Sequence, residues 1–311
     1  MKNERSNNIF LSEGINVLSL FDGMSCGQIA LNKAGINYGN YYASEIDSFG
    51  IKVTQKNYPN TIQLGDVCGI SYEEGALYHH QNDNPMVNGG SSYTNIGLLI
   101  GGSPCQGFSF AGKGLNFEDP RSKLFFEFVR LKNEIKPKYF LLENVVMKKE
   151  HENVISEYLG VEPILINSNL VSAQNRKRLY WTNIPFEDIE DYNITWGNVR
   201  EHNAPEKFYY SEKGLAWIDR HSKAKNKPLR IWENEDKAQM VEASHFKNYS
   251  AQRFFAIEDV KGLRYITPKE CERLQTVPDN YTDCVSDTQR YKMLGNGWTV
   301  DVIAHIFSFL K

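Results

Sequence analysis

The chain has 311 residues, with 35 Lys and Arg against 38 Asp and Glu, so its formal net charge is −3. Hydrophobic residues at 41%, charged residues at 23%, and 17 Tyr, 17 Phe and 5 Trp exclude a disordered chain; the near-neutral sum excludes wholesale coating of nucleic acid, so any such contact needs a local basic face. No apolar run approaches the roughly 20 residues of a membrane helix, and the five cysteines, at 26, 68, 105, 271 and 284, contain no Cys-x-x-Cys pair and no His spacing suited to zinc. Reduced thiols, no metal, no secretory leader and a cytoplasmic location are the expectations.

Along the first half, short apolar runs alternate with amphipathic stretches. That rhythm predicts an α/β fold with a doubly wound, mostly parallel sheet and crossover helices. The strands are expected at 15–21, 40–43, 61–64, 97–100, 139–142, 163–166 and 179–181, and the helices at 28–34, 48–57, 122–135 and 148–159. Residues 71–96 read as a helical turn plus a surface loop. From about 185 to 262 the rhythm stops, and Arg220, Lys223, Lys225, Lys227 and Arg230 follow one another there without an acid between them. Such a run is either a solvated face or a contact for an anionic partner. Thr267-Pro268-Lys269-Glu270 then opens a helix with an N-cap, Pro at the first position and Glu at the third, and a last helix spans about 299–309.

In a doubly wound sheet ligands bind at the carboxyl ends of the strands. Phe21-Asp22-Gly23-Met24-Ser25-Cys26-Gly27 follows the first strand and opens a helix, as either a plain tight turn or a loop that lets a ligand approach the backbone. Glu45 ends the second strand and could accept from ribose hydroxyls. Asp66, after the third, could accept from an adenine amino group. Three such groups at successive strand ends favour an adenosine-type cofactor. Gly101-Gly102-Ser103-Pro104-Cys105-Gln106-Gly107-Phe108-Ser109 follows the apolar strand at 97–100, and its cysteine is either a small buried apolar residue or an exposed nucleophile. Glu143 ends another apolar strand, where desolvation would favour the protonated form that a general acid needs. Gln174-Asn175-Arg176-Lys177-Arg178 is either a basic surface turn or a pair of arginines on one face.

Together these segments resemble the cytosine carbon-5 DNA methyltransferase family. Ser19-Leu20-Phe21-Asp22-Gly23, Ala43-Ser44-Glu45, Gly65-Asp66-Val67, Gly102-Ser103-Pro104-Cys105-Gln106, Glu143-Asn144-Val145, Gln174-x-Arg176-x-Arg178, Glu272-Arg273-Leu274-Gln275 and Gly295-Asn296 occur in the family's order. Residues 124–131, Val171-Ser172-Ala173 and Trp298 look like the animal de novo methyltransferases and their bacterial and phage relatives. Ser25-Cys26-Gly27 departs from the two glycines of most bacterial members, and Trp298 replaces a smaller residue.

The resemblance implies a Rossmann-like domain over 1–184 and 263–311, with a target recognition region at 185–262. It implies methyl transfer from S-adenosylmethionine to carbon 5 of a cytosine flipped out of double-stranded DNA. The thiolate of Cys105 would add to carbon 6, Glu143 would bond N3 and the exocyclic amine, Arg178 the O2 oxygen, and Arg176 a backbone phosphate. Phe21, Asp22, Gly23, Glu45, Ile46, Asp66, Val67, Pro104, Leu124, Asn296 and Trp298 would hold the cofactor. Gln106, Phe108, Ser109 and the run from Arg220 to Arg230 would meet DNA. A homodimer contact through the 124–131 helix, with Phe125, Phe126 and Phe128, is a further expectation. The setting implied is a compact bacterial or phage enzyme, as in restriction-modification systems. Two other readings are a silent DNA-binding paralogue and an RNA cytosine methyltransferase; the presence of Cys105, Glu143, Arg176 and Arg178 argues against the first, and the lack of a Cys-Phe-Thr signature against the second.

Overall fold

A computed structural model describes residues 14–79, 94–103, 120–247 and 255–311, with the side chains of 120–122 excepted. Pro104, Cys105, Gln106, Phe108 and Ser109 lie outside the described residues. Among the described residues no helix is long and apolar enough to cross a membrane. The chain forms two compact units, one of Met1–Ile166, Lys177–Glu187 and Ile303–Lys311, the other of Asn167–Arg176 and Asp188–Val302.

The first unit opens with β1 (Ile15–Leu20), α1 (Cys26–Lys33), β2 (Tyr38–Ser44), α2 (Ser48–Asn57) and β3 (Ile62–Gln63). After the hairpin of β4 (Ile70–Glu73) and β5 (Ala76–His79) come β6 (Ile96–Gly101), α3 (Pro120–Ile135), β7 (Tyr139–Val145), α4 (Lys149–Leu159) and β8 (Ile164–Asn167). Beyond β9 (Gln174–Asn175), β10 (Lys177–Thr182) completes a seven-stranded sheet in the order β3-β2-β1-β6-β7-β10-β8. β1 pairs in parallel with β2 and β6, and β6 with β7, while β10 runs antiparallel to β7. β6 is buried at all six positions, as a central parallel strand covered on both faces must be, and its composition is correspondingly apolar.

The helical turn expected after residue 71 is instead the β4–β5 hairpin. Glu74 and Gly75 both have positive φ, 50° and 84°, the two-residue turn whose twist matches its strands. Ile70 and Leu77 pack into the core while Glu73 and Glu74 stay outside, a period-2 pattern that the polar composition of the wider stretch obscured. The core itself holds Leu18, Leu20, Leu99, Phe125, Phe128, Leu142 and Trp181. Phe125 and Phe128 are therefore interior residues of α3, fully buried. Phe126 lies nearer the surface, edge-on to Tyr158 with ring centroids 5.2 Å apart.

The second unit carries α5 (Trp196–Val199), α6 (Glu212–Ala224), β11 (Arg230–Ile231), β12 (Ala238–Gln239), β13 (Phe255–Asp259) and β14 (Gly262–Arg264). Then follow α7 (Pro268–Leu274) and α8 (Asp287–Asn296); α9 (Val300–Phe307) begins in this unit and belongs to the first from Ile303 onward. β12 pairs with β9, and β11, β13 and β14 form a small sheet. Its core is aromatic: Trp232 stacks on Phe255 at 4.3 Å and meets Trp196 edge-on at 5.0 Å. α7 starts on the expected capping box, with Thr267 and Glu270 each taking the other's backbone N–H. The Glu270 carboxylate also receives two bonds from the buried Arg264 guanidinium, so the cap is locked from inside.

Phe128→Ala should cost about 3–5 kcal/mol in urea unfolding, the usual loss for a fully buried phenylalanine. Phe126→Ala should cost clearly less, and equal losses at the two positions would contradict the inside and outside faces assigned to α3.

Candidate active site and cofactor pocket

The loop after β1 is held in an unusual backbone. Phe21, Gly23 and Ser25 have φ of 59°, 61° and 64°, and for the two non-glycine residues that conformation costs of order 1–3 kcal/mol each. Two groups stabilise it. Glu45, at the end of β2, accepts from the Gly23 N–H at 2.7 Å through Oε2 and from Ile46 and Asp47 N–H through Oε1 at 2.8 Å each. Gly50 in α2 packs against the same loop: a Cβ there would stand 2.6 Å from the Gly23 carbonyl oxygen, so only glycine allows the approach.

Asp22 provides the rest from below. Its N–H donates to Ser44 O, its carbonyl accepts from Ser25 N–H, and its Oδ1 accepts from the Tyr41 hydroxyl at 2.8 Å. Its Oδ2 is buried and has no hydrogen bond of good geometry among the described residues. Burial pushes the Asp22 carboxyl up from 3.8 to about 6, against the lowering effect of the Ser19, Tyr41 and Ser25 hydroxyls; the Glu45 charge adds to the rise. The carboxyl of Asp22, one of the residues expected to hold the cofactor, is an internal brace of the loop.

Asp66 follows β3 and caps a single 3-10 turn by accepting from Cys68 N–H at 2.9 Å. Val67 is buried beside it, and Phe21 and Leu124 pack partly exposed against the main core. Ile46 is 76% exposed next to Glu45. Acceptor carboxylates at two strand ends, apolar side chains between them and an isoleucine left open to solvent fit an adenosine group: hydroxyls and an amino group to donate, a flat ring to cover apolar surface.

Glu143 and Arg178 face each other from neighbouring strands. Tyr180 is opposite Glu143 and Arg178 opposite Val145, so the two side chains are diagonal neighbours on one face. Arg178 Nε lies 3.0 Å from Glu143 Oε1, and each side chain is about one-tenth exposed. The carboxyl expected to be partly desolvated is so, and it is held beside a guanidinium.

Arg176 is placed differently from the phosphate contact expected of it. It is 2% exposed, and its guanidinium donates to the carbonyls of Val241, Gly295 and Gly297 at 2.8, 3.1 and 2.9 Å. Around it, Gln174 donates to Leu274 O and accepts from Val241 N–H, and Gln275 donates to Leu294 O and Gly297 O. Gly295 completes the joint, since a Cβ there would fall 1.9 Å from Ala243 N. Three of the motif segments, far apart in sequence, therefore meet in one buried polar hub. Asn296 is the last residue of α8 and Trp298 is 9% exposed, both in this second unit.

Of the basic run, Arg220, Lys225 and Lys227 are exposed and make no ion pair among the described residues. Lys223 pairs with Asp219 at 2.9 Å and Arg230 with Asp236 at 3.0 Å, so two of the five charges the sequence displays are answered locally. Sequence reasoning missed a neighbouring feature. Trp217 and His221 stack at 3.7 Å, 16° from parallel, on the α6 stripe that also carries Lys213 and Arg220. The spacing 213, 217, 220, 221 was the available signal.

Because the folded state holds the Asp22 proton more tightly, this group's contribution to stability is complete below about pH 3.8 and lost as the pH rises to about 6; the loss amounts to about 3 kcal/mol. Asp22→Asn, which keeps an acceptor for Tyr41, should therefore match the parent protein in urea unfolding at pH 4 and exceed it by up to about 3 kcal/mol at pH 7.5. A difference independent of pH would contradict the assignment.

The family of C-5 cytosine-specific DNA methylases matches this chain over residues 15–207 and 182–311. Type II methyltransferase M1.ScrFI of Lactococcus lactis subsp. cremoris is 30% identical over 316 residues, 92% of this chain and 75% of that protein. Type II methyltransferase M.HpaII of Haemophilus parainfluenzae is 28% identical, covering 96% of this chain and 90% of that one. Among solved structures, the Entamoeba histolytica methyltransferase EhMeth has a TM-score of 0.72 at 21% identity, covering 96% of this chain and 99% of that one. A Spodoptera frugiperda DNMT2 mutant has a TM-score of 0.68 at 20% identity, covering 95% and 99%. At these identities the structures show the common Rossmann-like methyltransferase fold. With the match running from residue 15 to 311, the chain belongs to the C-5 cytosine-specific DNA methylase family, whose members move a methyl group from S-adenosylmethionine to carbon 5 of cytosine.

Proposed function

We propose that the substrate is a cytosine flipped from double-stranded DNA and that transfer passes through a covalent adduct at Cys105. The observation that carries this reading is the Glu143–Arg178 pair, 3.0 Å apart at the end of β7. A carboxyl and a guanidinium side by side match adjacent atoms of one pyrimidine edge, N3 with its exocyclic amine and O2. The Type II methyltransferases related to this chain support duplex DNA as the substrate.

The steps follow from the groups present. The Cys105 thiolate adds to carbon 6, opening the 5,6 double bond and driving its electrons toward carbon 5. Glu143, protonated once the base is in place, gives its proton to N3 and Arg178 donates to O2, so the negative charge that develops on the ring is neutralised where fixed partners act more strongly than water. Bound S-adenosylmethionine supplies an electrophilic methyl on a sulfonium, with a neutral thioether as the leaving group. Once carbon 5 carries the methyl, a water molecule or a side-chain base removes its proton, the 5,6 double bond re-forms as the thiolate departs, and the N3 proton returns to Glu143, so the enzyme is regenerated.

Phe21, Glu45, Ile46, Asp66, Val67 and Leu124 hold the adenosine part in this reading, with the Gly23 loop beneath it; Pro104, Asn296 and Trp298 keep the cofactor contacts implied by family resemblance. Residues 185–262 form the target recognition region, in which Arg220, Lys225 and Lys227 meet phosphates and the Trp217–His221 stack adds a planar surface to the same helix. Gln106, Phe108 and Ser109 would act on the base-flipping side. Arg176 contributes by holding residues 241 and 295–297 in place.

Cys105→Ala should abolish transfer of labelled methyl to duplex DNA while leaving the thermal unfolding unchanged; undiminished transfer would rule out the adduct, and transfer RNA outcompeting duplex DNA would overturn the choice of substrate. The salt dependence of DNA binding separates the arginines and lysines. Lys225→Ala or Lys227→Ala should reduce the slope of log affinity against log salt by about 1. Arg176→Met should leave that slope unaltered and instead lower the melting temperature, because the Val241, Gly295 and Gly297 carbonyls each lose the guanidinium bond and, among the described residues, only Gly297 keeps a second donor, Gln275.

A further inference from the structure

The β6–β7 ladder ends at Gly101 opposite Leu142. Carried two residues further, the same register sets Ser103 opposite Asn144, where backbone pairing has stopped and side chains replace it. Asn144 Nδ2 donates to Ser103 Oγ at 3.1 Å and to Ser103 O at 3.4 Å, and Asn144 Oδ1 accepts from Val145 N–H at 2.8 Å. The amide is thereby oriented at both ends, and water has no access: Asn144 is 2% exposed and Ser103 5%. On its other side Asn144 is fixed by its place opposite Leu179 in β10. Successive residues of a strand point to opposite faces, so Asn144 ties down one face of β7 while Glu143 meets Arg178 on the other.

We infer that Asn144 is a positioning residue for the nucleophile. It fastens the strand end that presents Glu143 to the residue two places before Cys105, and so sets the separation between the thiol and the groups that receive the pyrimidine edge. The inference rests on Cys105 being the nucleophile. A strand end without this bond keeps its fold through the Leu142 and Leu179 pairings but lets the cysteine loop drift, and a misplacement of about 1 Å is enough to cost on the order of 100-fold in a covalent step. Asparagine suits the task because it supplies a donor for Ser103 and an acceptor for Val145 together. Aspartate lacks the donor and alanine lacks both.

The test uses the full chain and a duplex containing 5-fluorocytosine, in which carbon 5 carries fluorine in place of the proton that must leave, so the enzyme–DNA adduct persists and can be counted on a denaturing gel. With S-adenosylmethionine present, the unaltered enzyme should form the adduct. Asn144→Ala and Asn144→Asp should form it about 10- to 100-fold more slowly, with dissociation constants for S-adenosylmethionine and DNA within about twofold of the parent, the KM-against-kcat split of a positioning defect. Ser103→Ala, which keeps only the longer carbonyl contact, should show a smaller loss, and the Asn144→Ala/Ser103→Ala pair should be no slower than Asn144→Ala alone. Adduct formation at the parental rate in Asn144→Ala, or losses that multiply in the double variant, would overturn the inference while leaving the Cys105 mechanism intact. If Asn144→Ala fails to fold, Ser103→Ala decides alone, and a parental rate there is equally adverse. No adduct with the unaltered enzyme would overturn the covalent mechanism, and this inference with it.

Discussion

Every parallel sheet must solve the same problem at the carboxyl ends of its strands: the ladder stops, yet backbone donors and acceptors remain and must be satisfied away from bulk water. Here the solution is a set of side chains drawn from the strand ends themselves. Glu45 takes three backbone N–H groups, from Gly23, Ile46 and Asp47. Asp66 takes one from Cys68, and Asn144 spans the gap to Ser103. The groups that finish the sheet are also those, or the immediate neighbours of those, that the proposed chemistry uses. Folding and function share a boundary.

That sharing explains the uneven cost of the site. The left-handed Phe21 and Ser25 and the buried Asp22 carboxyl each work against stability, and all three lie within five residues of one loop. The hydrophobic layer beneath them, with Phe125, Phe128 and Trp181 wholly enclosed, supplies the excess that tolerates such strain. The Glu143–Arg178 pair is a different case: both groups are nearly buried, and their mutual attraction offsets part of the cost of taking them out of water.

The sheet was legible in the sequence because a strand buried on both faces admits few polar residues, as in Ile96–Gly101, and because Pro59 and Pro137 stop the helices that cross it. The capping box at Thr267 was legible for a local reason, two side chains three residues apart. The β4–β5 hairpin was not, since its alternation spans only four residues on each strand and sits in a polar stretch. Arg176 shows the deeper limit. A sequence displays a charge and hides its partners, and Val241, Gly295 and Gly297 are remote in the chain. The basic run misled in the same way, because Asp219 and Asp236 lie just outside the spacing that draws the eye.

The hub around Gln174 and Arg176 has an evolutionary reading. Its bonds to the 241–243 segment are made to main-chain atoms: the Val241 carbonyl and N–H, with the Ala243 backbone pressed against Gly295. Main-chain atoms are the same in every amino acid, so the side chains of that segment can be replaced without loosening the anchorage. A fastening indifferent to sequence tolerates substitution along that segment, one residue at a time, while the fixed arginine, glutamines and glycine go on holding whatever backbone is offered to them.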